Sequence, residues 1–261
     1  MVTLLLLCLN LLTSWKATDS PNDTYAVVVG ISDYQSLTSR TGDLRFADRD
    51  ARQIVTFLQS KAGGSVPSAH IRLLINRQAT SATIKQSLSL FEKAKPGDRV
   101  IFYFSGHGLP SSFVPYDIRP ENQQLLVTYQ DIKTAFRQSK AATKLCIADA
   151  CLSGGMAAQK STQRNLSQTM SQAGSKETNV ALLLASRSTQ SAVEASRLSG
   201  GAFTHYLLRG LNGQADLNRD RIVTIRELHQ YVGVRVKQAT RGRQTPIFYG
   251  RFSDNLGLAY L

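Results

Sequence analysis

The sequence predicts an α/β sandwich with a mostly parallel central sheet, and three observations carry that prediction. Apolar, β-branched runs of strand length recur along the chain. Segments with helical spacing separate them. The connections between them are short, and strand–helix–strand alternation of this kind places helices on the two faces of one sheet.

The elements follow in order. Residues 25–34, YAVVVGISDY, give a continuous buried strand that breaks into a loop. Residues 44–63 place Leu44, Ala47, Ala51, Ile54, Val55 and Leu58 at helical spacing, closed by Gly63-Gly64. HIRLLIN at 70–76 is a second strand. TSATIKQSLSLFEKAKPGD opens on an N-cap residue and stops at Pro96-Gly97, which predicts one helix. RVIFYFSGHG, from residue 99, is a third strand, VTYQDIKTAFRQSKA a third helix and TKLCIADACLSGG a fourth strand. Residues 156–179 are rich in Ser, Gln and Thr and predict a long exposed loop. VALLLASRS is a fifth strand, GGAFTHYLLRGLNG a glycine-led amphipathic helix, and residues 215–239 a loop running into a helix. RQTPIFYGRF ends the series as a last strand or an extended tail.

Composition narrows the classes. The chain has 261 residues, 42% of them hydrophobic, which is enough for one substantial core. The net charge of +13 invites a nucleic-acid reading. Its cations are scattered, however: Arg40, Arg45, Arg49 and Arg52 surround one helix, and Arg235, Lys237, Arg241 and Arg243 lie far along the chain. Neither an aromatic-interleaved basic stripe nor a zinc pattern accompanies them, so no specific nucleic-acid partner is expected. The three cysteines, Cys8, Cys146 and Cys151, form neither a disulfide framework nor a CxxC pair. Residues 1–20 carry an apolar run of signal-peptide length, too short to span a membrane. Export to a periplasmic or extracellular space is the expectation from it, with the cytoplasm as the alternative.

Ligands of open α/β sheets bind at the carboxyl ends of the strands. Two strands here end in reactive side chains: one in His107, between two glycines, and one in Cys151, before Ser-Gly-Gly. An imidazole beside a thiol can generate the thiolate and later return a proton to a leaving amine. The backbone amides of Gly108 and Cys151 are candidate oxyanion donors. Asp149 lies two residues before Cys151, hence on the same strand face. Cys146 reads as a small buried hydrophobe, and His70, His205 and His229 read as satisfied polar groups.

With these residues in hand, the chain resembles the caspase-like cysteine peptidases, most closely the bacterial metacaspase-like branch. The pieces are YAVVVGISDY, LRFADRDA, VIFYFSGHG, PYD at 115–117, IADACLSGG, LLLASRSTQSAVE, GAFTHYLLRGLNG and RQTP, in family order. The resemblance implies a caspase-like three-layer α/β/α sandwich. It implies a peptidase domain over 25–250, divided into a large-subunit-like part at 25–155, the loop at 156–179 and a small-subunit-like part at 180–250. A leader and linker at 1–24 and a tail at 251–261 flank it. His107 is then the general acid–base and Cys151 the nucleophile, and no cofactor is required for the chemistry. Asp50, Ser105 and Asp149 match the residues lining the primary specificity pocket, so the expected substrates are proteins or peptides cut after Arg or Lys. Leu152 departs from the family, which commonly carries a polar residue there. Lys160, Arg164 and Lys176 make the 156–179 loop either a self-cleavage segment or an uncut surface loop. A catalytically silent regulatory or binding module is the alternative from another class. A nucleotide-binding protein is disfavoured because the first strand leads into no phosphate loop.

Residues 216–227, DLNRDRIVTIRE, place Asp216, Asn218, Asp220, Thr224 and Glu227 at positions 1, 3, 5, 9 and 12 of an EF-hand-like loop. Oxygen ligands at those offsets suit Ca2+. Position 6 is Arg221 where glycine is wanted, and the other reading is a turn whose acids cap the helix starting near Thr224.

Overall fold

The computed structural model describes residues 23–37, 42–109, 111–119, 122–151, 180–185, 194–195 and 200–261. Its strands are β1 (Thr24–Gly30), β2 (Ile71–Ile75), β3 (Arg99–Leu109), β4 (Ser112–Phe113), β5 (Val127–Thr128), β6 (Thr143–Cys151) and β7 (Val180–Leu184). They continue with β8 (Glu194–Ala195), β9 (Gly200–Gly201), β10 (Ile222–Thr224), β11 (Ile247–Arg251) and β12 (Gly257–Tyr260). The α-helices are α1 (Ala47–Gln59), α2 (Ser81–Ser87), α3 (Tyr129–Gln138), α4 (Ala202–Arg209) and α5 (Ile225–Ala239).

The main sheet runs in the order β11-β7-β6-β3-β1-β2. The pairs along this path are parallel except β11 with β7, and β4, with β5 beyond it, joins β3 antiparallel. Side chains alternate between two cores, as a strand covered on both faces requires. Val27, Val29, Phe102 and Phe104 point to one core, beneath α2, α3 and the 3-10 segment Leu88–Lys93. Ala26, Val28, Ile101 and Tyr103 point to the other, beneath α1, α4 and α5. The three-layer sandwich expected from the sequence is therefore the observed one. Gly30 lets α1 approach the end of β1, since a Cβ there would sit 2.4 Å from the Ala47 carbonyl oxygen.

Two expectations change. The second helix is α-helical only to Ser87 and tightens into the 3-10 segment, which drives Leu88, Leu90 and Phe91 into the core. Within the expected tail at 251–261, Gly257–Tyr260 pairs with β10 as a strand, and Leu258 and Ala259 are buried. The leader and the 156–179 loop, with Lys160, Arg164 and Lys176, lie outside the described residues, as does Leu152.

Candidate active site

β3 and β6 are neighbours at the centre of the sheet, and their parallel register sets His107 opposite Cys151 and Ser105 opposite Asp149. The two strand ends singled out by the sequence thus arrive at one edge, side by side. No connection between them is needed, because register alone aligns them.

His107 is held from the β1 side. Its backbone N–H donates to the Tyr34 hydroxyl at 2.7 Å, and the Tyr34 ring lies tilted against the imidazole, centroids 5.0 Å apart. Its Nε2 meets the Gly42 carbonyl oxygen. A carbonyl can only accept, so this contact puts a proton on Nε2, which in the neutral ring places the lone pair on Nδ1. Gly42 has φ +145°, within the range that favours glycine. At Gly106 space is the constraint: a Cβ there would lie 2.7 Å from the Tyr34 hydroxyl. Gly108 follows on β3, buried, opposite Phe113 of β4.

A second cluster lies behind these residues. Asp50, Ser105 and Asp149 are 2%, 3% and 5% exposed and come from α1, β3 and β6. Asp50 is therefore an interior carboxylate. Both acids converge on Gly201, the residue before α4, where a Cβ would stand 2.2 Å from Asp149 Oδ2 and 3.0 Å from Asp50 Oδ2. The Gly201 N–H donates to Asp50 Oδ2 at 3.0 Å, and the Ser105 hydroxyl lies 3.5 Å from the same oxygen. Asp149 Oδ2 accepts from the Thr204 N–H at 3.1 Å and the Thr204 hydroxyl at 2.8 Å. The amino-terminal end of α4 faces both carboxylates. Sequence reasoning missed Thr204, Gly201, Tyr34 and Gly42. One signal was available: a glycine N-cap cannot satisfy the first-turn amides of α4, so another acceptor has to.

The 216–227 loop is organised by its own amides. Asp216 accepts from Arg221 N–H, Asn218 from Asp220 N–H, and Asp220 from Ile222 N–H. Arg221 takes φ +70°. Glu227 closes a capping box with Thr224, and its other oxygen accepts from Leu217 N–H. Bidentate ligation of Ca2+ by Glu227 would require that box to break, and no group of three His, Cys, Asp or Glu side chains stands together among the described residues. Thr224 and Glu227 make the cap of the helix that follows.

Cys146 is fully buried, and burial pushes its thiol up to about 12. His70 stacks on Tyr25 and His229 on Phe248, while burial and the neighbouring Arg209 lower His205. Among the described residues no helix is long and apolar enough to cross a membrane.

Comparison with known proteins agrees with this architecture. The model of the caspase domain of peptidase family C14 matches residues 23–256, and the chain belongs to that family. It is 28% identical over 150 residues to a Desulfuromonadales bacterium protein named "Probable protease", covering 49% of this chain and 18% of that protein. The chain thus spans under a fifth of that relative's length. A crystal structure of a Geobacter sulfurreducens protein superposes with a TM-score of 0.61 at 17% identity, covering 88% of this chain and 94% of the other. At that identity the likeness concerns the fold.

Proposed function

We propose that the protein is a cysteine endopeptidase that cuts after Arg or Lys, with Cys151 as nucleophile and His107 as general acid–base. The single observation that supports this most is the register pairing His107 with Cys151 at the carboxyl edge of the sheet. Family membership supports the same chemistry.

The steps follow from the groups present. Nδ1 of His107 takes the thiol proton, and the thiolate attacks the substrate carbonyl carbon. The carbonyl oxygen takes up the negative charge, for which the Gly108 and Cys151 amides are the candidate donors. The C–N bond breaks as His107 gives its proton to the leaving amine, and a thioester remains on Cys151. Water then attacks the thioester, with His107 accepting its proton. The C–S bond breaks, the peptide leaves as a carboxylic acid, and Cys151 regains a proton. The Gly42 carbonyl holds the imidazole tautomer through the cycle and shares the transient positive charge. None of these steps draws on a metal or cofactor.

Two buried carboxylates stand beside the strand that ends in Cys151, and buried anions favour a cationic partner. A guanidinium or ammonium side chain on the substrate supplies one, and this supports Asp149, Asp50 and Ser105 as the specificity residues. The test is hydrolysis of a fluorogenic peptide with Arg at the cleaved position. The native protein is expected to release the fluorophore, Cys151→Ala to be silent, and His107→Ala to lose about 100- to 10,000-fold. Equal signals from native protein and Cys151→Ala would sink the reading.

A further inference from the structure

Behind Asp149 the structure holds a chain of hydroxyls that the peptidase chemistry does not use. Thr204 is the third residue of α4, and its hydroxyl lies 2.8 Å from Asp149 Oδ2 and 2.7 Å from the Tyr103 hydroxyl. Thr204 and Tyr103 are both fully buried. A threonine hydroxyl has one proton, and a carboxylate can only accept. The Thr204 proton therefore goes to Asp149, and the Tyr103 hydroxyl must donate to Thr204. The direction of the chain is fixed: Tyr103 to Thr204 to Asp149.

We infer that Thr204, backed by Tyr103, is a positioning residue for substrate selection: it fixes the Asp149 carboxylate so that the acid presents its charge to an Arg or Lys side chain. The inference rests on the proposed Arg/Lys reading and deepens it.

Three observations support it. Asp149 receives two bonds from one residue, backbone N–H and side-chain O–H, on a single oxygen. That pair restrains both the position and the rotation of the carboxylate. The backbone bond alone would suffice to cap α4, because N-capping needs only an acceptor for the third-residue amide. The added hydroxyl bond is surplus to capping. Second, Tyr103 stays a donor at working pH: burial, with Asp50 and Asp149 beside it, holds its phenol well above the usual range. Third, Tyr103 and Ser105 share one face of β3 as residues i and i+2, so one strand backs Asp149 through Thr204 and faces Asp50 directly. Misplacement of a charged group costs most where solvent cannot compensate, which is the setting of this buried cluster.

The test compares two fluorogenic peptides that differ only at the cleaved position, Arg in one and uncharged citrulline in the other. The readout is the ratio of their kcat/KM values, for native protein, Thr204→Val, Thr204→Ser and Tyr103→Phe. Valine keeps the shape and the backbone N–H and removes only the hydroxyl. The ratio is expected to fall about tenfold in Thr204→Val, carried by KM for the Arg peptide, and about threefold in Tyr103→Phe. Thr204→Ser is expected to restore it. If the native protein itself cuts both peptides equally, the Arg/Lys reading fails. If the native protein prefers Arg and Thr204→Val keeps that ratio, the positioning role alone is overturned. A parallel drop on both peptides also overturns it, since that marks a purely structural residue. Should Thr204→Val not fold, the Tyr103→Phe ratio decides.

Discussion

Two cysteines five positions apart on β6 illustrate how much a single residue's surroundings determine. Cys146 is packed among Phe102, Phe136 and Leu182, with no exposure. Its thiol is raised from 9.0 to about 12 by burial. A raised folded-state value stabilises the fold below the unfolded value and is lost as pH climbs through the folded one. Stability is therefore expected to fall as pH passes from about 9 towards 12, and to fall less in Cys146→Ala relative to its own neutral value. Iodoacetamide at neutral pH is expected to leave Cys146 unlabelled in the folded protein and to modify it after denaturation, read by peptide mass spectrometry. Labelling in the native state would show that β6 opens there. The contrast with Cys151 was legible in the sequence, because glycines follow only the second. The bracing by Thr204 was not, because a buried threonine and a surface threonine look alike in a helix pattern.

At the scale of elements, α4 and α5 solve the same problem in opposite ways. α5 carries its own cap, the reciprocal box of Thr224 and Glu227, and this pair is visible in the sequence as Thr-x-x-Glu. α4 begins at a glycine and borrows acceptors from β6 and α1, residues 52 and 151 positions before it. Local pattern finds the first kind of start and misses the second kind. The same box bears on calcium. With Glu227 turned to its own helix, chelation by EGTA is expected to leave the melting temperature unchanged, while Glu227→Gln lowers stability by about 1 kcal/mol in calorimetry. A fall of several degrees on chelation would mean that an ion, not the capping box, organises the loop. The strands were the most legible elements, since β1, β3, β6 and β7 are apolar runs covered on both faces. β12 escaped notice because Gly-Leu-Ala-Tyr is short and its partner β10 is only three residues inside an acidic loop.

Across the whole molecule, β12 is tied to the beginning of β3 by a buried cation. Arg99 is 5% exposed, and its guanidinium donates to the Gly257 carbonyl at 2.5 Å and to the Leu258 carbonyl at 3.4 Å. Burial lowers its affinity for the proton, with Tyr260 opposing that effect. Nothing around position 99 in the sequence forecasts an interior arginine, because its acceptors are main-chain atoms 158 and 159 residues away. Arg99→Met is expected to cost about 1–3 kcal/mol and to release residues 257–260 to hydrogen exchange while β1 stays protected. Retained protection at 257–260 would mean that the β10 pairing alone secures the strand. The clasp also imposes an order in time. A ribosome delivers Arg99 long before Gly257, and Asp149 long before Thr204. During that interval the growing chain carries Arg99 without its acceptors on Gly257 and Leu258, and Asp50 and Asp149 without the donors on Gly201 and Thr204. On the proposed reading, the nascent chain therefore holds Cys151 and His107 well before Gly201 and Thr204 complete the cluster around Asp50 and Asp149.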